Sequence, residues 1–247
     1  MMNFDPGTAF QSLARCTRFN PGHLDPRELS RLPLAHGWNA LFRGMIGLAH
    51  CLTGTVAMLL FPSRLAGAVV ATVLVLLLHD YLTAGRERTL PQSFRRGLFH
   101  GDEELSVALS LLCMMTPPLL LLYLFYTGNG YWLGAIFALG AASGGTIATM
   151  NLDGPGDGGE GSRRLPPWAN GWHVAAAFSF ATMVGFHLAS PCRTRHFIYL
   201  LSLSAFMLLI TPWLKRIPGR VPGFTASCFL AEIIAAAFAF IATALAL

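Results

Sequence analysis

Charged residues are scarce in this sequence. Only 12% of the 247 residues are Asp, Glu, Lys or Arg, while 54% are hydrophobic and the mean hydropathy is +0.54. Soluble domains carry about 25% charged residues, so a soluble globular class is excluded, and so is a membrane part joined to a sizeable soluble domain. Cysteine is sparse too: Cys16, Cys51, Cys113, Cys192 and Cys228 are scattered, odd in number and without a CxxC pair. Only Cys192 falls at an expected outer surface, so no intrachain disulfide is expected. The glycines from Gly154 to Gly161 stand among Asp153, Asp157 and Glu160. They lack the GK[ST] of a phosphate loop and the ligand spacing of a calcium loop, and read as a flexible acidic linker. The arginines are spread over loops without interleaved aromatics, which leaves no nucleic-acid footprint. No cleavable signal peptide is expected, because the first 35 residues are polar and the first apolar stretch already has full span length.

What the chain does have is long apolar runs. A helix needs roughly 20 apolar residues to cross about 30 Å of hydrocarbon, and seven segments qualify: 38–61, 65–84, 105–126, 130–150, 172–190, 196–214 and 223–247. The expected fold class is therefore all-α, a polytopic transmembrane bundle of about seven spans. It divides into a cytoplasmic tail, 1–35, and a single transmembrane domain, 36–247. The connections 62–64, 127–129 and 191–195 are very short and predict three antiparallel helical hairpins. Charge supplies the orientation. Thirteen Lys and Arg residues fall in the tail and the longer connections, and three (Arg64, Arg193, Arg195) on the other side. Cytoplasmic loops carry the basic excess, so the N-terminus is expected inside and the C-terminus outside, in a cell (inner) membrane. The bilayer, and other membrane subunits, are the expected partners.

Within the spans, Thr116-Pro117-Pro118 removes backbone donors and is expected to kink its helix. Gly140 and Gly144, four apart in a run of small residues, predict a close helix–helix contact. Ser143 lacks the flanking motifs of an intramembrane serine protease, and no catalytic residue is assigned. Ionisable groups are costly inside a bilayer. Arg43, His50, His187 and Glu232 lie within the spans, with His36, His79, Asp80 and His173 near their cytoplasmic ends. Arg43 and Glu232 sit at similar depth on spans that both enter from the cytoplasm, and an ion pair between them, as a structural clasp or a relay, would lower the cost of burying either. His79-Asp80 reads as interface placement.

One spacing occurs twice: His36 to His50, and His173 to His187, are both fourteen residues. Fourteen residues is nearly four helical turns, so the members of each pair share a face about 21 Å apart along the axis. Two facing imidazoles are what a six-coordinate haem iron takes as axial ligands. With His36-Gly-Trp-Asn-Ala-Leu41 and Trp172-His-Val-Ala-Ala … Gly-Phe-His187, the two spans resemble membrane di-haem cytochromes b, including the b-subunits of hydrogenases and formate dehydrogenases. That resemblance implies haem b held by His36 with His173 and by His50 with His187, no other metal, and an electron-transfer function. An alternative comes from Gly85-Arg-Glu-Arg-Thr89 after His79-Asp80, and Ala142-Ser-Gly144, which are similar to subunit III of the haem–copper oxidases. This implies a haem-free structural or assembly subunit. A third reading, a small-solute or proton-coupled transporter, rests on Arg43, Glu232 and the broken third span.

The charge asymmetry generates a direct expectation. A reporter active only outside the cytoplasm should be active when fused after Leu247 and silent within Gly154–Gly161; the reverse pattern would overturn the orientation.

Overall fold

The computed structural model describes residues 6–16, 33–83, 103–152, 169–189, 195–216 and 223–245. Among them the chain forms eight helices and no strand. They are α1 (Pro6–Cys16), α2 (Pro33–Leu60), α3 (Arg64–Thr83), α4 (Glu103–Tyr126), α5 (Trp132–Leu152), α6 (Ala169–Ala189), α7 (Arg195–Arg216) and α8 (Gly223–Ala244). Three are long and apolar enough to cross a membrane: Ala35–Leu60, Arg64–Thr83 and Ser227–Ala244, with mean hydropathies of 1.3, 2.0 and 2.0. Most of the 85–104 and glycine-rich connections, and Cys192, lie outside the described residues.

Local chemistry sets the helix ends. Proline at the first position of α2 gives up an N–H that has no intrahelical partner anyway. Ser63 opens α3: its hydroxyl accepts from Ala66 N at 3.4 Å and its carbonyl from Gly67 N at 2.8 Å. At the end of α4, Gly128 takes φ +77°, a left-handed value that a side chain would disfavour. Its N–H donates to Phe125 O at 3.0 Å and that of Asn129 to Leu124 O at 2.6 Å, closing the last turn and reversing the chain into α5. Pro117 and Pro118 lie inside α4. Their missing N–H groups remove the backbone donors that the carbonyls of Cys113 and Met114 would otherwise meet one turn on.

The tail adds an element that the hydropathy pattern does not predict. Residues 6–16 form a short amphipathic helix whose Thr8 and Ser12 are buried, with Ser12 Oγ reaching Ala35 O at 3.5 Å. Thus α1 docks on the start of α2 while Phe10 faces outward.

α2 and α5 form the centre of the bundle. α5 packs against α2, α8, α6 and α7; α2 packs against α5, α6, α3 and α1. Side chains along α5 from Trp132 to Ile147 are almost all buried, and most are Gly, Ala, Ser or Thr. Small residues let neighbouring backbones approach, which is how helices associate where burial from water adds nothing. Thr72, Thr146, Thr211 and Thr243 return their hydroxyl protons to the carbonyl four residues back at 2.6–2.9 Å. Because Thr211 spends its proton on Met207 O, the 2.6 Å contact with Ser143 has Ser143 as donor, tying α5 to α7. Trp172 Nε1 donates to Thr146 Oγ1 at 3.0 Å and ties α6 to α5. α4 is held differently: it packs on α3 and α8 and only touches α2.

The α5–α8 contact is among the tightest of these. A Cβ placed on Gly144 would stand 2.6 Å from Cys228 N and 2.8 Å from its Cα. Overpacking typically costs about 1–3 kcal/mol, and here the obstacle is backbone. Gly144→Leu should lower the thermal midpoint of the purified protein by several degrees, whereas Gly185→Leu, whose Cβ meets nothing within 4 Å, should be neutral. Equal effects in a thermal unfolding assay would mean that close α5–α8 packing is not a determinant of stability.

Candidate functional site

The interior of the bundle holds an ion pair. Arg43 on α2 and Glu232 on α8 are 3% and 7% exposed. Arg43 Nε donates to Oε1 at 2.9 Å and Nη2 to Oε2 at 2.8 Å, the planar fork-to-carboxylate match that only arginine provides. Gly140 makes room for this arrangement: the position its Cβ would occupy lies against Glu232 Cγ and 3.3 Å from Glu232 Cα. Without a side chain at position 140, α8 comes close enough for the carboxylate to lie alongside α5 and meet the guanidinium. The Arg43 guanidinium carbon also lies 5.3 Å from the centre of the Phe137 ring, within cation–π range.

Phe137 carries the polar region onward. Its ring centre lies 5.2 Å from that of His50 on α2 and 5.6 Å from that of His79 on α3, and the two imidazoles are 5.1 Å apart. His50 is 1% exposed. Next to the imidazoles opens a cavity of about 480 Å³ between α2, α3, α4, α5 and α8. Its polar lining is His50 from α2, His79, Asp80 and Thr83 from α3, and Glu232 from α8. The remainder is apolar: Val75 and Leu76 from α3, Pro117, Pro118, Leu121 and Leu124 from α4, and Leu133 and Ile136 from α5 contribute to it. Volume and composition fall in the range of small-molecule sites, which are mostly apolar with a few convergent polar groups.

The four histidines of equal spacing occupy different settings. α2 and α6 do pack against each other. His36 is buried with its ring in the notch at Gly145, where a Cβ would come within 2.6 Å of Nδ1. His173 is exposed. His50 faces α3 and α5 through His79 and Phe137, and the side chain of His187 lies outside the described residues. Between the two levels, the α2–α6 interface is close-packed. A Cβ on Gly37 would stand 3.2 Å from Val174 Cγ2, and one on Gly44 would stand 2.6 Å from the Phe178 ring. A porphyrin plane in that interface would need Phe178 and Val174 to move away.

The structure thus brings together Arg43 with Glu232, and His50 with His79 and Asp80 around one cavity. From the sequence, His79 and Asp80 read as interface placement at the inner end of their span. A signal is present all the same: Val75, Leu76, His79, Asp80 and Thr83 repeat at helical spacing and share the cavity face of α3, while Val73, Leu77 and Tyr81 point outward.

Fold and site together define an all-α protein with a polar-walled apolar cavity beside a buried ion pair. Comparisons with protein-family models, with curated proteins and with solved structures found no match to this chain.

Removing one partner of a buried pair strands a charge, at about 3–5 kcal/mol in soluble precedents. Arg43→Ala and Glu232→Ala should each depress the folded yield and thermal midpoint. Arg43→Met with Glu232→Leu should recover at least half of the loss, since no charge is then stranded. Strict additivity of the two single effects would show that the pair is energetically uncoupled.

Proposed function

We propose that the chain is a multi-pass membrane protein of about seven spans, N-terminus inside and C-terminus outside, that carries a small solute through its interior with a proton taken up on the way. One observation carries this reading: an apolar cavity of about 480 Å³ is lined by four titratable groups, His50, His79, Asp80 and Glu232. Within a bilayer such groups are expensive and mark substrate or proton pathways by default. Imidazoles are the side chains whose charge ordinarily changes between about pH 5 and 8, and two of them lie in ring contact here. Arg43 stands behind Glu232, holding that carboxylate in position without itself lining the space.

A second reading keeps the electron-transfer function, with haem b on His36, His173, His50 and His187. The packing of α2 against α6 is the observation in its favour. Bound haem would supply one-electron chemistry, and a reduced-minus-oxidised spectrum with a b-type band would establish it over the carrier reading.

Accessibility tests the carrier reading without a known ligand. In a cysteine-free background, Cys introduced at Ala236, on the cavity wall, should react with N-ethylmaleimide in native membranes. Cys introduced at Ala239, which is fully buried outside the cavity, should not. Labelling at position 239 alone, or at neither position, would mean that solutes do not reach this space, and the reading would fail.

A further inference from the structure

We propose that the solute taken by this cavity is a lipophilic cation, an apolar body with one positive centre held against the carboxylates of Asp80 and Glu232. The inference rests on the carrier reading and adds the chemical class of the ligand.

Charge on the wall points to it. Among the described residues, the titratable groups facing the cavity are His50 from α2, His79 and Asp80 from α3, and Glu232 from α8. Two carboxylates and, among the described residues, no Lys or Arg line the space. Arg43 offsets Glu232 from behind, through both of its carboxylate oxygens. With neutral imidazoles, the Arg43, Glu232 and Asp80 set therefore has a formal charge of minus one. Phosphates, sulfates and carboxylates are recognised by arginine or lysine, or by converging backbone N–H groups. The wall instead consists of helix-interior segments whose N–H groups are engaged along the helices, so an anion would meet carboxylates and no cationic donor. For a cation the balance reverses. Its burial is tolerable only beside opposite charge, and the faces of Phe137 and Phe229, both at the cavity, add the attraction of aromatic quadrupoles.

Shape and access agree. The rest of the wall is aliphatic, so the ligand's body must be apolar. The cover on one side is α4, which packs on α3 and α8 and more lightly on α2. Pro117 and Pro118 lie in its cavity-facing stretch. A lipophilic cation already dissolved in the bilayer reaches that side without crossing the bundle. The imidazole pair supplies the coupling. A proton on His50 or His79 adds positive charge to the wall that holds the cation, so protonation and cation binding oppose each other. Protonation of Asp80 or Glu232 acts in the same direction.

Tetraphenylphosphonium and tetraphenylborate, which share a shape and differ in the sign of charge, separate the ideas. Binding is measured on the full chain in lipid nanodiscs, with empty nanodiscs subtracted. The phosphonium ion should bind at least about tenfold tighter than the borate. Asp80→Asn should weaken it by a similar factor, and Val75→Trp, or Ala236→Phe should the first not fold, should abolish it by filling the space. Affinity should fall as the pH is lowered, and less steeply with His50→Gln and His79→Gln combined. Borate bound as tightly as phosphonium and lost in the filled variant would overturn the cation class and leave the carrier reading standing. The cation class would fall in the same way if neither ion bound while Cys at position 236 was labelled. If that Cys were not labelled either, both would fall together.

Discussion

The Arg43–Glu232 ion pair is the constraint on which the interior depends. Two charges in an apolar bundle are tolerated only in good geometry with their remaining hydrogen-bonding capacity met. Here the guanidinium offers Nε and Nη2 in its own plane to both carboxylate oxygens. That geometry needs α8 to lie almost on the backbone of α5, which Gly140 and Gly144 permit. It also needs α2 to lie on the other side of α5 at a matching level. One electrostatic requirement therefore sets the mutual register of three closely associated helices. The remaining face of Arg43 rests near Phe137, and the same ring borders both imidazoles.

Other polar groups inside the bundle follow a simpler rule. Threonine hydroxyls return to their own helix, and two side-chain bonds, Ser143 to Thr211 and Trp172 to Thr146, fasten α7 and α6 to α5. α4 has a different character: proline replaces two donors in its middle, and large apolar side chains at Met114, Met115 and Leu119 face outward. The cavity lies beneath the middle of this helix, while its last turn is anchored, Phe125 filling the space that Gly54 and Gly130 leave open.

Much of this was legible residue by residue. Hydrophobic run lengths give the helices, and the short connections give the tight returns, of which the α4–α5 turn at Gly128 is fully described. Arg43 and Glu232 were conspicuous because charges are rare in such runs. The equal histidine spacing was informative in a narrower sense. Fourteen residues do place His36 and His50 on one face of α2, but the α2 face that bears them meets α5, at Gly145 and Phe137. A spacing specifies a face and is silent on which neighbour that face will find. For the same reason His50 and His79, on consecutive helices and nearly thirty residues apart, carry no mutual signal, although their rings lie 5.1 Å apart.

By itself, then, the sequence determined the helical class, the apolar length of the segments, the bias of positive charge toward one set of connections and the few ionisable groups that demanded partners. These are local properties, set by composition and by the 3.6-residue period along a single helix. Which groups became partners was decided only in the tertiary structure, because helix rotation and neighbour choice depend on all the small residues at once. Gly140 and Gly144 draw α8 onto α5, Gly145 receives His36, and Phe178 covers Gly44. The cavity is the clearest case. It arises where five helices fail to close, and no single stretch of the chain encodes it.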